Sequence, residues 1–233
     1  MNLELVGEAG FQMAKIHLGN GEVVKIENGA MVYMQDVKLE GKLNSKKKGL
    51  GGLLGAIGRS LLSDESMFIT QVVGTAPDGV VAIAPGVPGR IVKLEVGARQ
   101  YRLNDGAFFA ADDSVNYTMQ KQNLSQAAFG GSGGLFVMET EGQGDLLVST
   151  FGDLVTLECT PDRPVSIDNE HVVAWDSTLN YSIEVASGTF GFTTGEGLVN
   201  KFTGSGKILN HTRNLHSLAD AINPFLPDKN DGD

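Results

Sequence analysis

Short apolar runs rich in Val, Ile, Phe and Leu, bounded by Gly, Asp, Asn or Pro, recur along almost the whole chain. Runs of this length and composition predict β-strands. Tyr181-Ser182-Ile183-Glu184-Val185 alternates apolar with polar, as a half-buried strand does, and Phe136 to Glu141 turns polar on alternate positions. Ala76-Pro77-Asp78-Gly79 and Gly142-Gln143-Gly144-Asp145 lie between neighbouring runs. Such turn chemistry predicts antiparallel hairpins. The helical period appears twice. Leu50, Leu53, Leu54, Ile57, Leu61 and Leu62 share one helix face, although four interspersed glycines each cost a helix interior about 1 kcal/mol relative to Ala. Leu215, Leu218, Ala219 and Ile222 repeat the spacing before Asn223-Pro224 stops it, so helices are expected near 50–62 and 214–223.

The strands belong to a repeat. Ile91, Val92, Leu94 and Glu95 match Leu154, Val155, Leu157 and Glu158 at an offset of 63. After one inserted residue, Phe108-Phe109-Ala110 matches Val172-Val173-Ala174, Asp112 matches Asp176, and Asn116-Tyr117 matches Asn180-Tyr181. A weaker copy precedes them: Val23 to Val32 parallels the stretch ending Asn104-Asp105-Gly106-Ala107-Phe108-Phe109. In each copy a further run leads to a glycine, at Gly74, Gly142 and Gly204. The chain therefore reads as a mainly β protein of three tandem units, about 1–87, 88–150 and 151–212. A helix and Pro segment follow at 213–227, then a polar tail, 228–233, expected to be disordered.

Composition adds constraints. The 31 glycines are about twice the usual share of roughly 7%, as a protein of many tight turns requires. Cys159 is the single cysteine, so no intramolecular disulfide can form. The first ten residues lack a basic stretch followed by an apolar core, and no run is apolar and long enough for a transmembrane helix, which leads us to expect a cytoplasmic protein. Asn-x-Ser/Thr matches at Asn116, Asn123, Asn180 and Asn210 then carry no meaning. Net charge is -10 and uneven: Glu139 to Glu196 holds eleven acids and one base, Arg163, while the first 75 residues are close to neutral. An acidic body repels phosphate backbones, which disfavours nucleic-acid binding.

Candidate chemistry is sparse. The histidines, His17, His171, His211 and His216, lack the His-x-His or His-x-Asp pair that converges on an ion in double-stranded β-helix enzymes. Cys159 stands where the preceding copy has Val96, which favours a small buried apolar role over a nucleophile. Gly204-Ser205-Gly206-Lys207 is followed by Ile208 rather than Ser or Thr, so it reads as a hairpin turn and not a phosphate loop. Gly130 to Gly134 reads as a turn between units. Asp112-Asp113 and Asp176 repeat by position, which suits turn closure better than an asymmetric catalytic pair. We therefore expect no catalytic, cofactor-binding or metal-binding residues. Lys46-Lys47-Lys48 beside the 50–62 face could approach an anionic membrane surface, or the helix could pack on the β units or on another subunit.

Four stretches carry a family resemblance: Glu27-Asn28-Gly29-Ala30-Met31; Gly51-Gly52-Leu53 through Arg59 to Glu65-Ser66-Met67-Phe68; Gly195-Glu196-Gly197-Leu198; and Thr212-Arg213-Asn214-Leu215 with Leu218-Ala219 and Pro224. By their order and spacing the chain resembles the AIM24 family, formerly a domain of unknown function. The resemblance implies three lobes like the tryptophan RNA-binding attenuation protein (TRAP), a short double-stranded β-helix, here without the lysine-and-aromatic pattern that stacks bases. It supplies no catalytic residues, and mitochondrial relatives are linked to inner-membrane organisation. The expectation is a non-enzymatic interaction or scaffold protein, its lobes in a pseudo-threefold arrangement and its chains assembling into a homo-oligomer. The alternatives are a membrane-peripheral organiser acting through 46–62 and a small-ligand binder with an inter-lobe pocket.

Overall fold

The computed structural model describes residues 1–42, 69–121, 136–185 and 198–226. An initial strand, β1 (Asn2–Val6), precedes three runs of six. The first run is β2 (Met13–Leu18), β3 (Val23–Glu27), β4 (Met31–Gln35), β5 (Val37–Lys42), β6 (Ile69–Gly74) and β7 (Gly79–Ile83). The second is β8 (Ile91–Val96), β9 (Tyr101–Leu103), β10 (Phe108–Asp112), β11 (Val115–Lys121), β12 (Phe136–Gly142) and β13 (Gly144–Ser149). The third is β14 (Leu154–Cys159), β15 (Val165–Asp168), β16 (Val172–Asp176), β17 (Asn180–Val185), β18 (Leu198–Thr203) and β19 (Gly206–His211). A short helix, α1 (Leu215–Ile222), follows, capped by the Asn214 side chain accepting from Ser217 N–H at 2.7 Å. The Ala76 to Gly79 and Gly142 to Asp145 signals fall at the turns between β6 and β7 and between β12 and β13, but these are not the expected hairpins, because each turn carries the chain from one sheet into another. The expected helix at 50–62, Lys46 to Lys48 and Gly130 to Gly134 lie outside the described residues.

The strands form four sheets, ordered β1-β2-β7-β4, β5-β6-β3-β10-β13-β8, β11-β12-β9-β16-β19-β14 and β15-β18-β17. Every strand of the third sheet lies six places after its counterpart in the second, so one connectivity is used twice. Each six-stranded sheet joins two consecutive runs. β3 of the first run pairs with β10 of the second, and β9 of the second pairs with β16 of the third. All pairings between named strands are antiparallel. Among the described residues β4 pairs only with β7, and β15 only with β18.

Three apolar cores fill the spaces between the sheets. The first gathers Ile16, Val24, Ile26, Val81, Ile83, Phe109 and Leu147. The second gathers Leu103, Phe108, Ala111, Tyr117, Met138, Leu146 and Val173. The third gathers Val172, Trp175, Leu179, Phe202 and Ile208. A central strand is therefore buried on both faces, which explains why β10 and β16 read as unbroken apolar runs. Both contain a bulge, between Phe108 and Ala110 and between Val172 and Ala174. The extra residue interrupts alternation, so Phe109 and Ala110 enter the first core together while Phe108 and Ala111 enter the second. A bulge sits at the same place in β4, between Met31 and Tyr33.

Close approach between runs requires glycine at Gly89. A Cβ there would stand 1.7 Å from the backbone oxygen of Thr150. Gly89 N–H donates to the Gly10 carbonyl at 2.7 Å, and Gly152 N–H donates to the Pro88 carbonyl at 2.8 Å, so the linkers before β2, β8 and β14 meet.

Candidate functional site

A cleft lies where the second run meets the third. It encloses about 470 Å³ between the β8–β9 turn and the start of β19. Arg99 Nε stands 3.4 Å from Asp176 Oδ1, and Lys207 Nζ stands 3.9 Å from Glu158 Oε1, so its two cations face two acids. Asp176 also fastens the strands, with its Oδ2 accepting from Lys207 N–H at 2.8 Å. The repeat places Asp112 in the same role, since its Oδ2 accepts from Asp145 N–H at 2.7 Å. Aspartate is used at both positions because a carboxylate can satisfy a backbone donor beside a tight turn. At the Asp112 position the Met1 ammonium lies 3.2 Å from Asp112 and 3.1 Å from Asp145. Burial would lower the pKa of that ammonium, but hydrogen bonds to Asp145 and Asp112 outweigh it and leave the pKa raised.

Cys159 borders this cleft, yet the residue is 1% exposed. Its Sγ donates to the Phe202 carbonyl at 3.4 Å, within the third core. The thiol occupies the apolar place expected from Val96. Gly204 and Ser205 turn β18 into β19, which lies in another sheet, so the turn is not the expected hairpin; Gly204 has φ +111, and Ser205, Gly206 and Lys207 line the cleft.

The histidines are sorted by the fold in a way that sequence neighbours did not suggest. His211 ends β19 and faces His171, in the short turn before β16, with ring centroids 5.9 Å apart and edge-on. His211 Nδ1 accepts from Phe151 N–H at 3.0 Å, so its Nε2–H donates to the Glu170 carbonyl at 2.7 Å. His171 Nδ1 lies 2.8 Å from the His211 carbonyl, and its Nε2 lies 2.9 Å from the Asn214 amide nitrogen. Every ring nitrogen is therefore engaged within the protein. Burial holds the His211 imidazole below its ordinary range; the hydrogen bond to the Glu170 carbonyl opposes this, and the neighbouring His171 adds to it. His216 instead pairs along α1 with Asp220 at 3.4 Å, and His17 lies 3.9 Å from Glu4. Among the described residues no three His, Cys, Asp or Glu side chains are placed to hold a metal ion.

The polar groups that bind the runs together are the ones that motif reading missed. Lys25 Nζ, on β3, donates to the carbonyls of Asp113 and Val115 beyond β10, each at 2.8 Å. Arg102, on β9, is its counterpart. Its Nη1 donates to the Leu179 carbonyl beyond β16 at 3.0 Å, its Nε meets Glu139 at 3.0 Å, and its guanidinium lies 5.7 Å from the Tyr181 ring centre. The register shows the equivalence, since Lys25 opposes Ala111 and Arg102 opposes Trp175. Asn104 adds a buried clasp at the second joint, donating to the carbonyls of Asn169 and Val172 at 2.9 and 3.2 Å. A cation at the same place in consecutive copies was the available sequence signal.

These features define a mainly β protein in which consecutive six-strand runs share sheets and are clasped by a cation at each joint. The family model of mitochondrial biogenesis AIM24 matches residues 3–213, and the chain belongs to that family. It is similar to an uncharacterised protein of Streptococcus pyogenes serotype M6, with 48% identity over 221 residues, 93% of this chain and 88% of the relative. It is also similar to a Streptococcus pyogenes protein with a solved crystal structure, at 43% identity and a TM-score of 0.78. That match covers 96% of this chain and 99% of the other. No described helix is long and apolar enough to cross a membrane.

Proposed function

We propose that this chain is a non-enzymatic interaction or scaffold protein that assembles with copies of itself, built from three TRAP-like lobes. The observation carrying the reading is the grouping of exposed large apolar side chains at two places. Met31, Val32, Tyr33 and Met34 are exposed on β4, and Leu215, Leu218, Ile222, Phe225 and Leu226 are exposed on and after α1. Apolar patches of this kind mark surfaces that meet another protein. The polar side chains of the joints, by contrast, are spent on one another and on backbone carbonyls. A pseudo-threefold arrangement of the lobes would return β15 to β4 of the same chain, whereas an open arrangement presents both edges outward; the described pairing favours the open form. Light scattering of the purified full chain over a wide concentration range tests assembly. A larger species is expected, and a strict monomer throughout overturns the reading.

A second reading rests on the cleft of about 470 Å³ beside Arg99, Asp176 and Lys207, which suits a small polar ligand. A ligand that raises the melting temperature of the native chain, but not of an Arg99→Ala variant, would support it. The membrane-peripheral alternative concerns 46–62 and rests on sequence alone.

A further inference from the structure

β4 has the composition of a strand buried on both faces and the exposure of an edge. Its counterparts, β10 and β16, share its bulge and its unbroken apolar run. Phe109 and Val173 are buried at 0% and 1%, whereas Val32, at the same place in β4, is 55% exposed. The difference is one neighbour. β10 is flanked by β3 of the preceding run, and β16 by β9, but no described strand flanks β4 on the side away from β7. The strand that should fill this role is the third member of the series β3, β9, β15. β15 is the other open edge, paired only with β18 among the described residues. Among the described residues β4 and β15 are thus two unlike edges, each matching one side of a joint that the chain already makes twice.

We propose that β4 of one molecule pairs with β15 of a second copy, head to tail, in the register of the two internal joints. The internal joints oppose Ala110 to Ile26 and Ala111 to Lys25, and Ala174 to Leu103 and Trp175 to Arg102. Carried to the open edges, the same register opposes Tyr33 to Ile167, Met34 to Ser166 and Gln35 to Val165. The new sheet would run β17-β18-β15-β4-β7-β2-β1, seven strands through two molecules. Charge disfavours two acidic ends meeting: Glu139 to Glu196, which includes β14 to β17, holds eleven acids and one base, while the first 75 residues are close to neutral. The linker before β2 is open as well. Gly89 and Gly152 are each hydrogen-bonded to the preceding run's linker, while Phe11 beside Gly10 is 77% exposed. An unlike-edge contact that does not close on itself generates rings or filaments of copies rather than a twofold dimer.

This pairing rests on the self-assembly reading above and names its surface, so one set of samples separates the two. Met34→Cys and Ser166→Cys are made singly and together. Both sites are exposed, and opposed residues in an antiparallel pair bring Cβ atoms within about 4.5–5.5 Å, close enough for a disulfide or a short bismaleimide. Cys159 is replaced by Val, the residue of the preceding copy, with a parallel set retaining the buried thiol. The expected result is a cross-linked dimer when the two single variants are mixed, a ladder from the double variant, and little product from either single variant alone. Light scattering of the same samples reports assembly independently. Oligomers without the mixed cross-link overturn the edge pairing and leave self-assembly standing; a strict monomer overturns both. A double variant that cross-links only within one chain also overturns the proposal, because the lobes then close on themselves. Met34→Lys should weaken association on the order of tenfold at unchanged circular dichroism, since a lysine on an edge strand blocks further pairing. Unchanged association overturns the assignment of β4.

Discussion

Lys25→Met tests how strongly the first joint couples the runs it connects. Lys25 is nearly buried and its ammonium spans from β3 to two carbonyls beyond β10, both at 2.8 Å. Methionine keeps the length of the stem and removes both donors. Hydrogen bonds to a charged group contribute about 1.5–3 kcal/mol each, but burying the ammonium has its own cost, and the Asp113 carbonyl retains some access to water. The Val115 carbonyl does not, because its bond to Lys25 is buried. The net loss should be about 2–3 kcal/mol. In urea, with an m-value at the upper end of the usual range, about 3 kcal/mol/M, the midpoint should fall by roughly 1 M. Two probes follow the transition. Far-UV circular dichroism reports all the strands, and fluorescence of Trp175, the only tryptophan, reports the third core. Shared sheets predict that both probes shift together even though Trp175 belongs to a different core from the β3 strand that carries Lys25. A dichroism shift with unmoved fluorescence would show that the runs unfold separately, and a midpoint change below about 0.2 M, or roughly 0.6 kcal/mol, would show that the clasp contributes little.

Gly89→Ala should cost about 3 kcal/mol or more, because its methyl would meet the Thr150 backbone oxygen at 1.7 Å and the linkers would have to part; thermal unfolding reads this as a lower melting temperature. Trp175→Ala should cost about 3–5 kcal/mol by leaving a cavity between Tyr181 and Phe202, whose ring centres lie 5.0 and 5.4 Å away. Trp175→Phe should cost much less, since the indole N–H has no hydrogen-bond partner among the described residues, and chemical denaturation followed by circular dichroism compares the two. For His211 the folded-state pKa lies below the unfolded value near 6.5, so between the two the unfolded chain binds more protons. Its contribution to stability is therefore complete above about pH 6.5 and is lost as pH falls toward the folded pKa. Urea midpoints across this range should slope less in His211→Gln, and equal slopes would count against the reading.

The strands were legible because burial imposes a visible period or an unbroken apolar run between turn residues. β17 alternates in sequence and in exposure, from Asn180 outward to Ile183 inward. The end of α1 followed from Asn223-Pro224, which acts through local geometry, while the Asn214 cap at its start emerged only from the structure. β1 escaped the repeat because it has no counterpart among the described strands of the other runs; among the described residues it pairs only with β2. Sheet sharing was also hidden, since spacing within one copy does not say that β3 will choose β10 as its neighbour. The joint cations were missed for the same reason. Lys25 and Arg102 differ in type and act on backbone carbonyls far along the chain, so no local motif marks them. The meeting of His171 with His211 depends on β16 pairing with β19, which sets side by side two residues 40 apart in sequence. Asp112 and Asp176 were readable as turn-closing residues, because identical positions in a repeat favour identical structural work.

Position by position, the series Lys25, Arg102, Ser166 shows why the open edge should make the weakest joint and how it could be strengthened. Arg102 opposes Glu139 across the β9–β12 ladder, Lys25 opposes Gln71, and Ser166 opposes Lys201. At the formed joints a long cation reaches the carbonyl of Val115 or Leu179, the residues that open the next hairpin arm. Ser166 is too short to reach the corresponding carbonyl, that of Val37, in a second copy. On a surface that is wet before assembly this is the safer choice, because a cation held for a partner that has not arrived gains nothing. Ser166→Arg together with Lys201→Glu would rebuild the Arg102–Glu139 arrangement at the open edge. The Arg–Glu pair would hold the guanidinium in place, as the 3.0 Å contact does in the second run. One added charge-assisted hydrogen bond at a partly wet site should contribute about 1.5 kcal/mol, or roughly tenfold tighter association. Sedimentation equilibrium of the double variant against the native chain measures it. Association that is unchanged or weaker would mean that residue 166 does not face the Val37 carbonyl, and that the register inferred from the two internal joints does not extend to the third.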